Sequence, residues 1–570
     1  MNLPPVAPHV VAAAVEALPA RLRSRLDAMV EQARQWPVET TADGGAKVSV
    51  EDVHILLTVP VDAPERATCT CLLAPKCLHR AAILSCAPIL DSAPPTETQV
   101  PQEKPAVTTP LTEPERAATQ VLWSAAIPLL EKGIDGADAI AQADLLRAVH
   151  GARQVGLHRP AAAATAVVRR VRAARAKEAS FRLGELTDDL RDLLTTCHRL
   201  SKDDGTARGV ARRDYEPVGD LKLYGLLCEP LRTASGYAGV ATILTDDQAR
   251  IWTVADVRPG EQDRVRMAVG TAAEGAVEIG EIRISHRELS RAGLLTPGAV
   301  ASADGRLSHG RKVQAVRSAG CDWYRMPVLK LWQMDVAAQV TRWVEALRLP
   351  VADRPGGHDL AFLDGVVVGA GRRGLLMAVE GVAGPVWVAA PWEDPSLPHV
   401  ANLRQLAENA TGQQIRLVGR FAGPRLVHGL GFSAQWLPEH FGGHVALGVD
   451  RLQKADMPGS VEFVPLVASP DITPPLDFAR HAMERVVAAG RSALLGGVAG
   501  DARRLAEAQL GTGAELLKGL GAAGTRRGRD VFGRLDPHDS HRLARAWLAV
   551  AVYEQAAGLA ATRDAWLPPQ

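Results

Sequence analysis

The stretch Cys69-Thr-Cys71-Leu-Leu-Ala-Pro-Lys-Cys77-Leu-His79 packs three thiols and an imidazole into eleven residues, and nothing else in the chain constrains local folding as tightly. Three thiolates and one imidazole complete a tetrahedral shell. That is the closed arrangement of structural zinc, with no open position for a substrate or an activated water. The competing reading is a set of structural thiols or disulfide partners. Seven cysteines in 570 residues make no disulfide framework, and four of them, at 69, 71, 77 and 86, fall within eighteen residues. The start Met-Asn-Leu-Pro-Pro lacks a basic segment, and Glu16 interrupts the short apolar run from Val10 to Leu18. A secretory leader is therefore not expected, and a reducing cytoplasm is the expected setting, where clustered cysteines more often mean metal.

One structural Zn2+ held by Cys69, Cys71, Cys77 and His79 is thus the expectation. Cys86 could replace His79, but on a helix that follows the cluster it reads better as a small buried hydrophobe. A module of about fifty residues buries too little apolar surface to be secure alone, so zinc binding, ~10 to 16 kcal/mol in isolated finger peptides, would be folding energy. Three thiolates around a divalent ion leave a net negative charge, which Lys76 and Arg80 either offset or merely flank as solvated cations.

The spacing C-x-C-x5-C-x-H resembles the SWIM-type zinc finger, and all four ligands of that family have counterparts here. SWIM modules usually set a β-hairpin before the first Cys pair and a helix after the His. Lys47, Ser49 and Glu51, then Val53 to Val61, read as the strands, and Arg80 to Ser85 as the start of the helix. The resemblance covers roughly residues 40–88 and implies nucleic-acid or protein binding. More weakly, large bacterial proteins with an N-terminal SWIM finger look like accessory members of systems built on MoxR-type AAA+ ATPases and von Willebrand A domain proteins, which implies partners of those kinds.

Length favours several domains, since single cores seldom grow past about 250 to 300 residues. The pattern predicts a multidomain α+β chain: a helical lead-in (1–39), the finger (40–88), a Pro-rich linker (89–114), a helical domain (115–215), a β-rich module (216–320), a connecting helix (321–354), a second β-rich module (355–473) and a helical C-terminal domain (474–570). Seven prolines between Pro88 and Pro114 with little apolar periodicity suggest an extended linker, so the finger is expected to range on a tether. In 216–320 and 355–473 the apolar period changes to two, with short strands broken by Gly and Pro, which suits a small barrel or sandwich; an OB-like barrel is one form open to either. Ser285 with Glu288 forms a capping-box pattern. No run of about eighteen uninterrupted apolar residues suggests a membrane span.

Residues 145–177 contain no acid and eight Lys or Arg, among them Arg169, Arg170, Arg172, Arg175 and Lys177 at near-helical spacing. Several could face one side of a helix and contact phosphates. The plainer reading is a basic face that pairs with acids such as Asp188, Asp189 and Asp192, because no aromatic residue is interleaved to stack on bases. Catalysis has no visible seat: G-x-x-x-x-G-K-[ST], H-E-x-x-H and G-x-S-x-G are all absent. The chain is expected to be no enzyme. A net charge of +1 and an aromatic share of 4% favour an interaction or scaffold protein over a nucleic-acid binder that would use the finger and the 147–177 segment.

Overall fold

The computed structural model describes residues 3–90, 110–179, 181–210, 215–232, 237–259, 276–309, 313–349, 353–371, 374–392, 397–461, 475–525, 531–532 and 539–567. Two compact units emerge, Met1–Arg212 with Pro474–Ala557, and Arg213–Thr473 with Gly558–Gln570. Most of the expected linker, residues 91–109, lies outside the described residues.

The first unit opens with helices α1 (Pro8–Glu16), α2 (Ala20–Arg23) and α3 (Leu26–Ala33). An antiparallel sheet follows in the order β1 (Val38–Thr40), β2 (Ala46–Val50), β3 (Val53–Leu57), β4 (Ala67–Cys69), and then α4 (Leu78–Cys86). Alternation sets the register of the hairpin. Ala46 pairs with Leu57 and Val48 with Ile55, all fully buried on one face, while Lys47 and Leu56 pair on the other. The backbone of Val6 bridges to both Val61 and Ile89.

A helical bundle continues with α5 (Glu113–Gly136), α6 (Ala139–Gln154), α7 (His158–Arg175) and α8 (Leu183–Ser201). Thr112 and Glu115 form a capping box on α5, and the Asp138 side chain accepts from Ala141 N–H at the start of α6. One continuous core takes in Val10 and Val15 of α1, Ile55 and Leu57 of β3, Ile83 and Leu84 of α4, and Leu122, Leu146 and Leu190 of the bundle. The finger is therefore docked, not tethered. The apolar faces of α1 and α4 are more than the small sheet can cover, and burying them against the bundle removes that surface from water.

The second unit begins with β5 (Tyr215–Arg232), β6 (Tyr237–Asp246), β7 (Ile251–Pro259), β8 (Ala276–Ile279), β9 (Ile282–Ser285), the short α9 (His286–Leu289), β10 (Gly293–Ser302) and β11 (Val316–Ser318). Five of these strands form an antiparallel sheet in the order β11-β10-β5-β6-β7. The capping box at Ser285 and Glu288 is present. Helix α10 (Val336–Leu347) leads to β12 (Leu360–Gly371), β13 (Gly374–Val379), β14 (Val386–Ala389), α11 (His399–Asn409), β15 (Gln414–Gly423), β16 (Leu426–Ser433) and β17 (Val445–Ala446). Their sheet runs β14-β13-β12-β15-β16-β17, and a parallel β14 to β16 pairing joins its ends into a closed circuit of five strands.

Helices α12 (Asp477–Ala489), α13 (Ala499–Glu507), α14 (Gly511–Thr525) and α15 (Ser540–Trp566) complete the chain. Met483, Leu517 and Trp547 from these helices join the core of the first unit. The class is thus mixed helix and sheet, with several sheets and a helical C-terminal part. Among the described residues no helix is long and apolar enough to cross a membrane.

Candidate metal centre

Two short arms of chain meet at the cluster. Cys69 ends β4, paired across the sheet with Ile55, and Cys71 lies just beyond it. Cys77 is the N-cap of α4, and its Sγ accepts from the backbone N–H of Arg80 at 3.5 Å; His79 sits in the first turn of that helix. The four ligand atoms lie within 4.8 Å of one another. That spread is compatible with four donors around one small ion whose bonds run about 2.0 to 2.3 Å.

Burial sharpens the chemistry. It pushes the Cys77 thiol up to about 12 and raises Cys69 as well, so without a cation these thiols stay protonated at neutral pH. A divalent ion reverses that balance by coordinating the thiolates directly. The buried Nδ1 of His79 has no hydrogen-bond partner, which is costly unless a metal takes it. These donors fit the expected ion. Trp36, in the segment before β1, packs its ring against His79 with centroids 6.0 Å apart.

Arg80 is the residue that sequence reasoning placed poorly. It is only 4% exposed, and its guanidinium donates to Ala67 O at 2.7 Å, Pro64 O at 2.7 Å and Pro75 O at 3.3 Å. The helical period carries no signal for it, because α4 is buried at Leu78 and at every position from Arg80 to Ser85, so no polar stripe or apolar face singles out the arginine. Lys76, by contrast, is exposed. Between Cys71 and Cys77 the loop carries Leu72 fully exposed and Leu73 more than half exposed. Cys86 lies away from the cluster, its thiol directed to Val30 O at 3.6 Å and raised by burial to about 11.

The five basic residues of α7 and its end are placed as follows. Arg170 pairs with Glu185 and Asp189 on α8. Arg172 donates to Ala87 O at 2.6 Å and to Gln142 Oε1 at 3.2 Å. Arg175 pairs with Asp27 of α3 and donates to Asp135 O at 3.0 Å. Arg169 is half-buried and engaged, and Lys177 is exposed at a positive φ of 53° just past the helix. Arg172 and Arg175 thus tie the bundle to the finger and its lead-in. No known protein family, curated protein or solved structure matches this chain.

Proposed function

We propose that the protein binds one structural zinc ion through a SWIM-like finger and serves as a non-catalytic interaction or scaffold component of a bacterial protein assembly. The carrying observation is the closed Cys69, Cys71, Cys77 and His79 donor set, with all four ligand atoms within 4.8 Å. Three thiolates and an imidazole suit zinc and leave it no free position for catalysis. The two exposed leucines on the metal-closed loop support a protein partner, because large apolar side chains held rigidly in water mark contact surfaces. MoxR-type AAA+ and von Willebrand A domain proteins as partners follow from the resemblance alone, as does a cytoplasmic setting from the clustered thiols. Elemental analysis of the reduced protein tests the metal: one zinc per chain is expected, and none overturns this reading.

One observation favours the alternative of nucleic-acid binding. The closed circuit β12-β13-β14-β16-β15, with α11 between its third and fourth strands, supports an OB-like barrel, a fold whose second and third strands present a binding face. There Trp387 pairs with Leu376 and leans over Gly371, where a Cβ would come within 2.3 Å of its ring. Titration with labelled single- and double-stranded nucleic acid across a salt series separates the two: affinity falling steeply with salt supports the alternative, and no binding at low salt ends it.

A further inference from the structure

Arg80 is a buried cation for which, among the described residues, no carboxylate stands at ion-pair distance; its three acceptors are the backbone carbonyls of Pro64, Ala67 and Pro75. Carbonyl dipoles satisfy its N–H groups but do not neutralise its charge. A guanidinium held in that state is unfavourable unless an anion lies close by. The groups beside it are the sulfurs of Cys77 and Cys69 and the exposed carboxylate of Glu65. Its three acceptors also fall on both sides of the ligand set. Pro64 and Ala67 precede Cys69, whereas Pro75 lies in the loop that closes on Cys77.

We propose that Arg80 is the charge-balancing residue of the metal centre. Its bonds to the Pro64, Ala67 and Pro75 carbonyls seat that charge between the arm carrying Cys69 and Cys71 and the arm carrying Cys77 and His79. Its charge is balanced by the anionic shell that three thiolates and a neutral imidazole form around a divalent ion. The proposal rests on the metal reading above and adds to it a reason why the ion is divalent: with one arginine, that charge state brings the buried site to neutrality. Outer-shell partners of this kind typically change metal affinity about 10- to 100-fold when removed.

The test uses the full chain as wild type, Arg80→Lys and Arg80→Met, with zinc affinity measured by chelator competition and Co2+ substituted for its thiolate charge-transfer bands. The expected result is a loss of about 10- to 100-fold in zinc affinity and a shifted Co2+ band for Arg80→Met. Arg80→Lys keeps the charge while losing the fork, and should return affinity to within a few-fold of wild type with a near-native band. An Arg80→Met protein with wild-type affinity and spectrum overturns the proposal. So does an Arg80→Lys protein as impaired as Arg80→Met, since that assigns the effect to the carbonyl bonds alone. If Arg80→Met does not fold, Arg80→Lys decides: near-native affinity supports charge balance, and a loss of about 10-fold or more refutes it. A wild-type chain that takes up neither zinc nor Co2+ fails at the metal reading itself and is recognised before any variant is compared.

Discussion

Cys77 combines two roles that a single substitution separates. It caps α4, accepting from Arg80 N–H, and it contributes a thiolate to the cluster. Serine is among the preferred N-cap residues but a poor zinc ligand, so Cys77→Ser should keep the helix start and lose the metal. Cys71 has no capping role, and Cys71→Ser should lose the metal as well. Elemental analysis is the readout, and a full zinc equivalent in both variants would mean the ligands are misassigned. A second residue-level expectation concerns acid. Hydrogen bonding from Arg208, aided by Thr112, holds the Glu115 carboxyl down to about 2 from an ordinary 4.5. A depressed folded value means this stabilisation is complete above about 4.5 and is lost as the pH falls towards about 2. Denaturant unfolding at pH 5 and pH 3 should show a smaller loss for Glu115→Gln than for the wild type; equal losses would remove the link.

At the scale of elements, the junction of α5 with the C-terminal helices is the most exacting. Gly133, at φ 72°, lies where a Cβ would stand 2.4 Å from Ala488 O, and Gly490, at φ 69°, where it would stand 2.5 Å from Glu131 O. Both the backbone conformation and the contact exclude a side chain. Gly133→Ala and Gly490→Ala should each cost more than about 1 kcal/mol, read as a lower urea midpoint at unchanged slope. Losses below a few tenths would show that this junction relaxes freely.

Elements whose buried side is apolar were legible in the sequence, as the hairpin of β2 and β3 and the helical character of the bundle were, and the Ser285 cap could be read from its spacing to Glu288. Helix α11 was not legible, because its buried side includes His399 and Asn402. Asn402 donates to Leu447 O and Asp450 O and accepts from Leu452 N–H, so polar bonds, not an apolar stripe, hold it. Strand β10 was hidden by Pro297 and Gly298, where its pairing with β5 shifts register. The four ligands could be read from spacing because thiols and imidazole have few other reasons to cluster. Arg80 could not, since its role depends on which way α4 faces.

Across the whole molecule, the continuity of the first unit's core changes what metal loss should do. A tethered finger would melt alone. Here Ile83 and Leu84 of α4 share a core with Leu146 of α6 and Trp547 of α15, and Arg172 and Arg175 reach back to Ala87 and Asp27. Zinc held by the folded form alone stabilises by mass action, about 2.7 kcal/mol at a free concentration one hundred times Kd, and in a shared core that increment belongs to the whole cooperative unit. The second unit contributes no such Cys/His cluster among the described residues. Calorimetry should therefore resolve two transitions, of which chelation lowers one and leaves the other in place. Hydrogen exchange assigns them: after chelation, protection should fall in α5 to α8 as well as in residues 40–88, and stay unchanged in β12 to β16. Cys77→Ser should reproduce the chelated profile and respond no further to chelator. Exchange that rises in 40–88 alone, with both transitions unmoved, would mean that the finger opens independently on the surface of the bundle and that the shared core does not couple metal to the rest of the unit.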